Sequence, residues 1–329
     1  MPNNEKAAAV LFLRAQTPLH AGSGAPLGAI DLPIQREVHT QWPAIHSSGL
    51  KGVLRDAYRN ALIERNKTDA KTANGNTETT AIFGPAKTPS PGEGHAGCLT
   101  VTDARILAFP VSCERGVFAW VTCSAVFDRL AQDMKVLGLN STPQLDPCGN
   151  EIVVLGADSA DVVLRDLEYT VYENTNAKTK LNEAAQWISK NACGVDQTAN
   201  ACGVDQTAPP ASIFDPRVSL AQIPNDDFTY FVQYATEVVS RNALDEEKRT
   251  VKRGALFMQE FLPSETILYA LLLADKPRKP ANGLETGSSV MDKVCNMLGT
   301  GRIQIGGDQT TGKGLCQARI VAKGDLEAK

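Results

Sequence analysis

Between Leu50 and Leu62 the apolar side chains obey a single spacing. Leu50, Val53, Leu54, Ala57, Tyr58, Ala61 and Leu62 recur at i, i+3, i+4 and i+7, which lines them along one stripe of an α-helix. Such a helix must bury that stripe against another element, so the chain needs a layered core. Ser47 and Ser48 stand where an N-cap belongs. Lys51 and Arg55, four residues apart, share a face just inside that start. Free backbone N–H groups beside two cations can hold a phosphate. An ordinary capped helix with a solvated basic face accounts for the same residues. The stretch before the helix supports no regular element, because Gly22, Gly24 and Gly28 bracket Pro26. Asp31 follows, and Pro33 biases Leu32 towards extended backbone. The acid is therefore expected on a stiff loop, the kind of segment that carries function on a rigid scaffold.

The rest of the chain supplies the layers. Ala7 to Ala15 reads as a buried strand. Residues 64–80 are polar without a period, and residues 84–97 are rich in proline and glycine, so the two together read as a long loop. Cys98 to Val111 offers two strands and Gly116 to Thr122 another. Ser124 opens a helix whose face holds Val126, Phe127, Leu130, Met134 and Leu137, ended by Gly138. Ile152 to Leu155 and Val162 to Val171 read as strands, and Asp226 to Tyr234 as a short helix. Glu237 to Ala243 and Thr250 to Phe257 flank a charged turn and read as a protruding hairpin. Ala255 to Phe261 and Thr266 to Ala274 read as core strands. Ser288 caps a helix bearing Met291, Val294, Cys295 and Leu298, with Gly299 as its stop. Arg302 to Ile305 and Leu315 to Ala322 complete the set. Hairpin strands lying between the helices favour an α+β, ferredoxin-like core over a doubly wound sheet. One domain over residues 1–329 is expected, with insertions at about 64–97, about 172–225 and about 237–257. The nonapeptide NACGVDQTA occurs at 191–199 and again at 200–208. So short a tandem copy suits an exposed loop, where added length costs little.

Composition removes several classes of function. The net charge is −4 over 329 residues, so no global basic field points to nucleic acid, and any such site must be a local patch. The 8 cysteines form no CxxC pair and no His/Cys cluster at metal spacing. No apolar run spans a bilayer and no signal core opens the chain, which implies no membrane and a reducing cytoplasmic location. HExxH and Ser/His/Asp patterns are missing, which counts against proteases and zinc enzymes. Gly307 to Lys313 spells GDQTTGK, most of a P-loop. Gly314 stands where Ser or Thr should ligate Mg²⁺, and a strand-like run follows. A nucleoside-triphosphate site is rejected. The loop can still be a nest of N–H groups around a phosphate, or a plain glycine turn.

The strings TPLHAGSG and IDLPIQRE, with LKG and LR behind them, resemble the start of the repeated backbone subunit of the Cmr effector complex. That complex is a type III-B CRISPR–Cas assembly, and its backbone subunit is a RAMP-superfamily protein. The likeness continues through Ile82-Phe83-Gly84, His95-Ala96-Gly97, LTVTDARILAFPV, the run from Glu237 to Leu273, and IQIGGDQTTGKGLC at 303–316. It fails over about 176–210.

The resemblance implies a RAMP-type, RRM-like core with a thumb hairpin that inserts into an RNA duplex. It implies copies stacked in a filament along a CRISPR guide RNA, in contact with other Cmr subunits, cutting target RNA at intervals. RNA contacts are expected from Arg36, Ser47, Ser48, Lys51, Arg55, Arg241, Lys252, Arg253, Gly306, Gly307, Gln309, Thr311 and Lys313, with guide phosphates gripped by Ser47, Ser48, Lys51, Arg55 and the loop Gly306–Gly314. Asp31 is the expected catalytic acid and the ligand of Mg²⁺ or another divalent cation, with His20 and Glu260 as helpers. Structural hydrogen bonding is the competing account of His20 and Glu260. Two rival functions follow from the same likeness: a scaffold that binds guide without cutting, and a metal-free processor of precursor guide RNA.

Overall fold

A computed structural model describes residues 6–24, 29–85, 94–140, 142–155, 161–194, 214–242, 256–279, 281 and 283–327. Strand β1 (Ala7–Ala15) is a near-continuous apolar run because both its edges are taken and most of it is buried. The elements that follow are β2 (Ala44–Ile45), α1 (Ser47–Asn66), α2 (Ala70–Gly75), α3 (Thr77–Phe83), β3 (Leu99–Val101), β4 (Ala104–Ser112), β5 (Phe118–Thr122) and α4 (Ser124–Val136). Next come β6 (Val153–Val154), β7 (Val162–Leu164), β8 (Leu167–Tyr169), α5 (Thr175–Ile188), a π-helical turn (Ser189–Cys193), α6 (Pro216–Ser219), β9 (Leu220–Gln222) and α7 (Asn225–Tyr234). Then follow β10 (Glu237–Arg241), β11 (Phe257–Phe261), β12 (Ile267–Ala274), α8 (Gly287–Leu298), β13 (Thr300–Gln304), β14 (Leu315–Ala322) and α9 (Lys323–Glu327).

The centre of the main sheet runs β14-β1-β12-β4, every pair antiparallel. With α1 between β1 and β4, and α8 between β12 and β14, this is the split βαβ order of a ferredoxin-like fold. The two helices touch one another. Leu50, Leu54, Tyr58 and Leu62 form the buried face of α1, as the spacing requires. Everything from Cys113 to Thr266 is therefore inserted in one connection. It widens the sheet through β5, β9 and β6, and it carries the separate two-stranded hairpin β10–β11.

Four expectations need correction. Residues 64–80 are largely helical rather than loop. Asp69 accepts the Thr72 N–H and Asn76 accepts the Glu78 N–H, capping α2 and α3, while Ala73, Ala81, Ile82 and Phe83 are buried. Part of 172–225 is core: α5 buries Leu181, Ala184, Ala185 and Ile188, and β9 joins the sheet. Residues 257–261 pair with β10, so they form the return arm of the hairpin and not a strand of the main sheet. Val162 to Val171 is a small hairpin, turned at Arg165 with φ 54°. The helix caps also shift by a residue or two. His46 precedes α1 without a side-chain cap, and Thr286 with Ser289 forms the capping box of α8. The second nonapeptide copy lies outside the described residues. Among the described residues the cysteines are free, and no helix is long and apolar enough to cross a membrane.

Leu54 is 1% exposed on the buried face of α1. Leu54→Ala should lower the stability of the subunit by about 2–5 kcal/mol. Asn60→Ala on the exposed face should change it by less than about 0.5 kcal/mol. Denaturant melts of the two variants check the difference.

Candidate functional site

Strand β11 is a main-chain template on which the site is assembled. One edge is paired with β10. The other receives the loop that carries Asp31: the Leu32 N–H donates to Met258 O at 3.0 Å, and the Glu260 N–H donates to Leu32 O at 3.0 Å. The Met258 N–H then donates to Asp31 Oδ2 at 2.7 Å. This fastens an exposed carboxylate at the foot of the hairpin. His20 reaches the same strand, with Nδ1 2.7 Å from Glu260 O. A carbonyl only accepts, so Nδ1 donates here and Nε2 is the ring nitrogen that Glu260 O does not engage. The two anchor points are two residues apart on β11, roughly 7 Å along the strand. His20 is 8% exposed, and its ring lies 5.6 Å from that of Phe261.

Phe261 gathers the nearby cations. Lys313 Nζ lies 5.1 Å, and Arg241 Cζ 5.6 Å, from its ring centroid, within reach of a cation–π attraction. Asp308, which sequence reasoning missed, joins this cluster. Arg241 Nη1 donates to its Oδ1 at 2.7 Å, and Gln259 Nε2 to its Oδ2 at 2.6 Å. Burial works against the Asp308 carboxylate, but the hydrogen bonds from Arg241 and Gln259 outweigh it and hold the carboxyl below its ordinary value. The only sequence hint of Asp308 is its place inside the glycine-rich loop.

Other expected site residues are committed inside the protein. Glu260 is 2% exposed. Its Oε1 accepts from Arg36 Nη2 at 2.6 Å and from Thr236 Oγ1 at 2.8 Å, and its Oε2 accepts the Ile34 N–H at 3.0 Å. Arg36 also donates to Gln41 O and Val232 O, at 2.8 and 2.9 Å. Glu260 is thus held by hydrogen bonds within the protein, the competing account of this residue, and Arg36, expected at the RNA, braces the loop to β11 and to the end of α7. Lys51 Nζ donates to Leu99 O and Arg55 Nη1 to Gly84 O, each at 2.7 Å, so the basic face of α1 ties down the chain at Gly84 and at Leu99. Burial pushes the pKa of both cations down. Ser47 and Ser48 sit at the helix start, but the Ser47 N–H already donates to Asp103 Oδ1 at 2.7 Å. The protein's own carboxylate occupies part of the expected phosphate position.

The loop Gly306–Gly314 is likewise turned inward. The N–H groups of Gly307 and Gly314 donate to His20 O and Pro18 O, and those of Thr311 and Lys313 to Asp308 O. Gly306 and Gly314 have φ of 80° and 75°, and a Cβ on either would strike His20 O or Ile305 O. The loop thus clamps the segment that carries His20. Gln309 and Thr311 lie exposed on its outer turn. Lys252 and Arg253 lie outside the described residues.

No group of three or more His, Cys, Asp or Glu among the described residues could hold a metal. Asp31 offers one carboxylate with one oxygen already hydrogen-bonded. That suits Mg²⁺, which commonly keeps several waters and takes one or two carboxylates plus phosphate oxygens. The fit holds only with RNA supplying the remaining ligands.

Glu260→Ala leaves the Arg36 guanidinium, 15% exposed, without its counter-charge. The subunit should lose about 3–5 kcal/mol, read as a fall in its melting midpoint before any activity is assayed.

The family model of the RAMP superfamily matches residues 12–317. The CRISPR system Cmr endoribonuclease Cmr4 of Pyrococcus furiosus is 33% identical over 305 residues, 92% of each chain. The crystal structure of oligomeric Cmr4 from Pyrococcus furiosus matches with a TM-score of 0.67 at 25% identity, over 96% of this chain and 98% of that one. A chain in the cryo-EM structure of the Type III-B Cmr-beta bound to cognate target RNA shares the fold, with a TM-score of 0.67 at 20% identity over 97% and 98%. The insertion pattern around a ferredoxin-like centre and these likenesses agree: the chain belongs to the RAMP superfamily, on its Cmr4 branch.

Proposed function

We propose that the chain is a backbone subunit of a type III-B CRISPR complex, and that it cuts target RNA paired to a guide RNA, with Asp31 as the reacting carboxylate. Copies of the chain stack along the guide in the cytoplasm beside other Cmr subunits. One observation carries the reading: Asp31 is an exposed acid fixed by the Met258 N–H at the foot of the hairpin. A hairpin that wedges into the duplex delivers unpaired target backbone to that point, at a cost of roughly a few kcal/mol per flipped base. Guide–target pairing supplies sequence choice, and the protein reads backbone and shape.

Cutting requires the 2′-oxygen to attack phosphorus as the P–O5′ bond breaks, with a proton leaving the 2′-hydroxyl and another reaching O5′. Asp31 orients the 2′-hydroxyl and accepts its hydrogen bond. The proton leaving the 2′-hydroxyl goes to His20 Nε2, the ring nitrogen left over when Nδ1 donates to Glu260 O, and water supplies the proton that reaches O5′. Arg241 and Lys313, beside Phe261, place positive charge towards the phosphate. Asp31, together with phosphate oxygens of the RNA, would hold a magnesium ion, which would supply charge neutralisation at the phosphate.

The bond from Met258 to Asp31 also suits a purely structural acid, and hence a scaffold that binds guide without cutting. Asp31→Ala in the reconstituted complex decides. Cleavage should fall about 10²-fold or more with assembly and guide binding intact, and chelator should reproduce the loss in the unaltered complex. Undiminished cleavage by Asp31→Ala would leave the scaffold reading in possession.

A further inference from the structure

Asp308 is a carboxylate to which the cutting reaction assigns no task, yet it touches both arms of the hairpin. Gln259, one of its partners, sits on β11 between Met258, which holds Asp31, and Glu260, which holds His20. Arg241, the other, ends β10. The residue just before Asp308 binds His20 O through its N–H. We infer that Asp308 is a positioning residue of the cleavage site: its carboxylate fixes Gln259 and Arg241, and so sets how the Asp31 and His20 anchor points sit against the glycine-rich loop. The inference rests on the cutting role proposed above.

Two observations separate this from an ordinary surface ion pair, which contributes little. Gln259 is 3% exposed, and its buried Oε1 has no hydrogen-bond partner among the described residues. The protein thus leaves one half of a buried amide unsatisfied while the other half meets Asp308, so that contact fixes the amide orientation. Asp308 also holds φ 62°, a left-handed backbone tolerated by Asp and Asn better than by most residues. The side chain is thereby delivered to the hairpin from a turn that the flanking glycines permit.

That geometry makes the test sharp, because Asp308→Asn keeps the left-handed backbone while it removes the charge and turns one acceptor oxygen into a donor. The carbonyl oxygen of the substituted side chain can still accept from Arg241, but its amide N–H faces the amide N–H of Gln259. Adding Gln259→Glu restores an acceptor there and returns the negative charge beside Arg241. In the assembled complex with saturating target, Asp308→Asn should cut about tenfold more slowly, the scale of one charge-assisted hydrogen bond. Affinity for guide and target should be unchanged, as should the spacing of products. The double variant Asp308→Asn with Gln259→Glu should recover most of the rate. The inference is overturned by any of three results: Asp308→Asn cuts at the normal rate; it loses guide binding or folding in step with rate; or the double variant shows no recovery. Asp31→Ala in the same series keeps the two ideas apart. If it abolishes cutting while Asp308→Asn does not slow it, only the positioning role falls. If Asp31→Ala cuts normally, the cutting role itself is gone.

Discussion

A carboxylate that is 2% exposed needs the protein to supply the hydrogen bonds that water would have supplied, and Glu260 is supplied from three directions. Arg36 and the Ile34 N–H reach it from the loop that carries Asp31, Thr236 reaches it from the junction of α7 and β10, and Glu260 itself belongs to β11. Arg36 extends the same brace to Val232 O. Breaking that knot would remove the side-chain tie among the loop, the end of α7 and the hairpin, leaving the loop held on β11 by the main-chain bonds of Leu32. The exposure of Asp31 depends on it, because an acid can stand in solvent at a fixed place only if its flanks are held elsewhere. The flanks are held: the Ser23 N–H donates to Pro33 O, and the Gln35 N–H to Ala21 O.

The second constraint is closeness of main chains. His20 lies under the turn at Gly306 and Gly307, and beside Gly22, whose added Cβ would come within 2.8 Å of His20 Nε2. Glycine at these positions serves proximity as much as backbone freedom. A side chain at Gly22 would close the approach to the one imidazole nitrogen that is not spent on Glu260 O. The glycine-rich loop is thus a clamp on the histidine segment first, and its exposed turn at Gln309 and Thr311 is what remains to face a ligand.

How much of this can be read from the chain depends on the range of each interaction. The face of α1, the strand at Ala7–Ala15 and the ferredoxin-like order are local patterns, and they are present as read. The stiff loop under Asp31 is visible because Pro33 acts on its neighbour. By contrast, Arg36 and Glu260 are 224 positions apart, and nothing in either neighbourhood announces the other. Lys51 and Arg55 read as free because their acceptors are main-chain carbonyls, which carry no sequence signal. The helices α2 and α3 are hidden by the polar residues that cap them, Asp69 and Asn76. Asp308 is hidden inside a motif read for its glycines and its lysine.

The net charge of −4 weighs against a polyanionic partner only if the whole chain is felt at once, and the arrangement around Phe261 shows why it is not. Charges on a surface are screened beyond about 8 Å at physiological salt, so a phosphate close to the hairpin senses its immediate neighbours and not the sum over the chain. Those neighbours are Arg241 and Lys313, held beside one ring at 5.6 and 5.1 Å. Asp308 offsets part of that charge while fixing its geometry. The outcome is a small, oriented patch of positive charge on an acidic protein. Such a patch suits a subunit that holds one short stretch of backbone in register better than a broad basic face, along which RNA could slide.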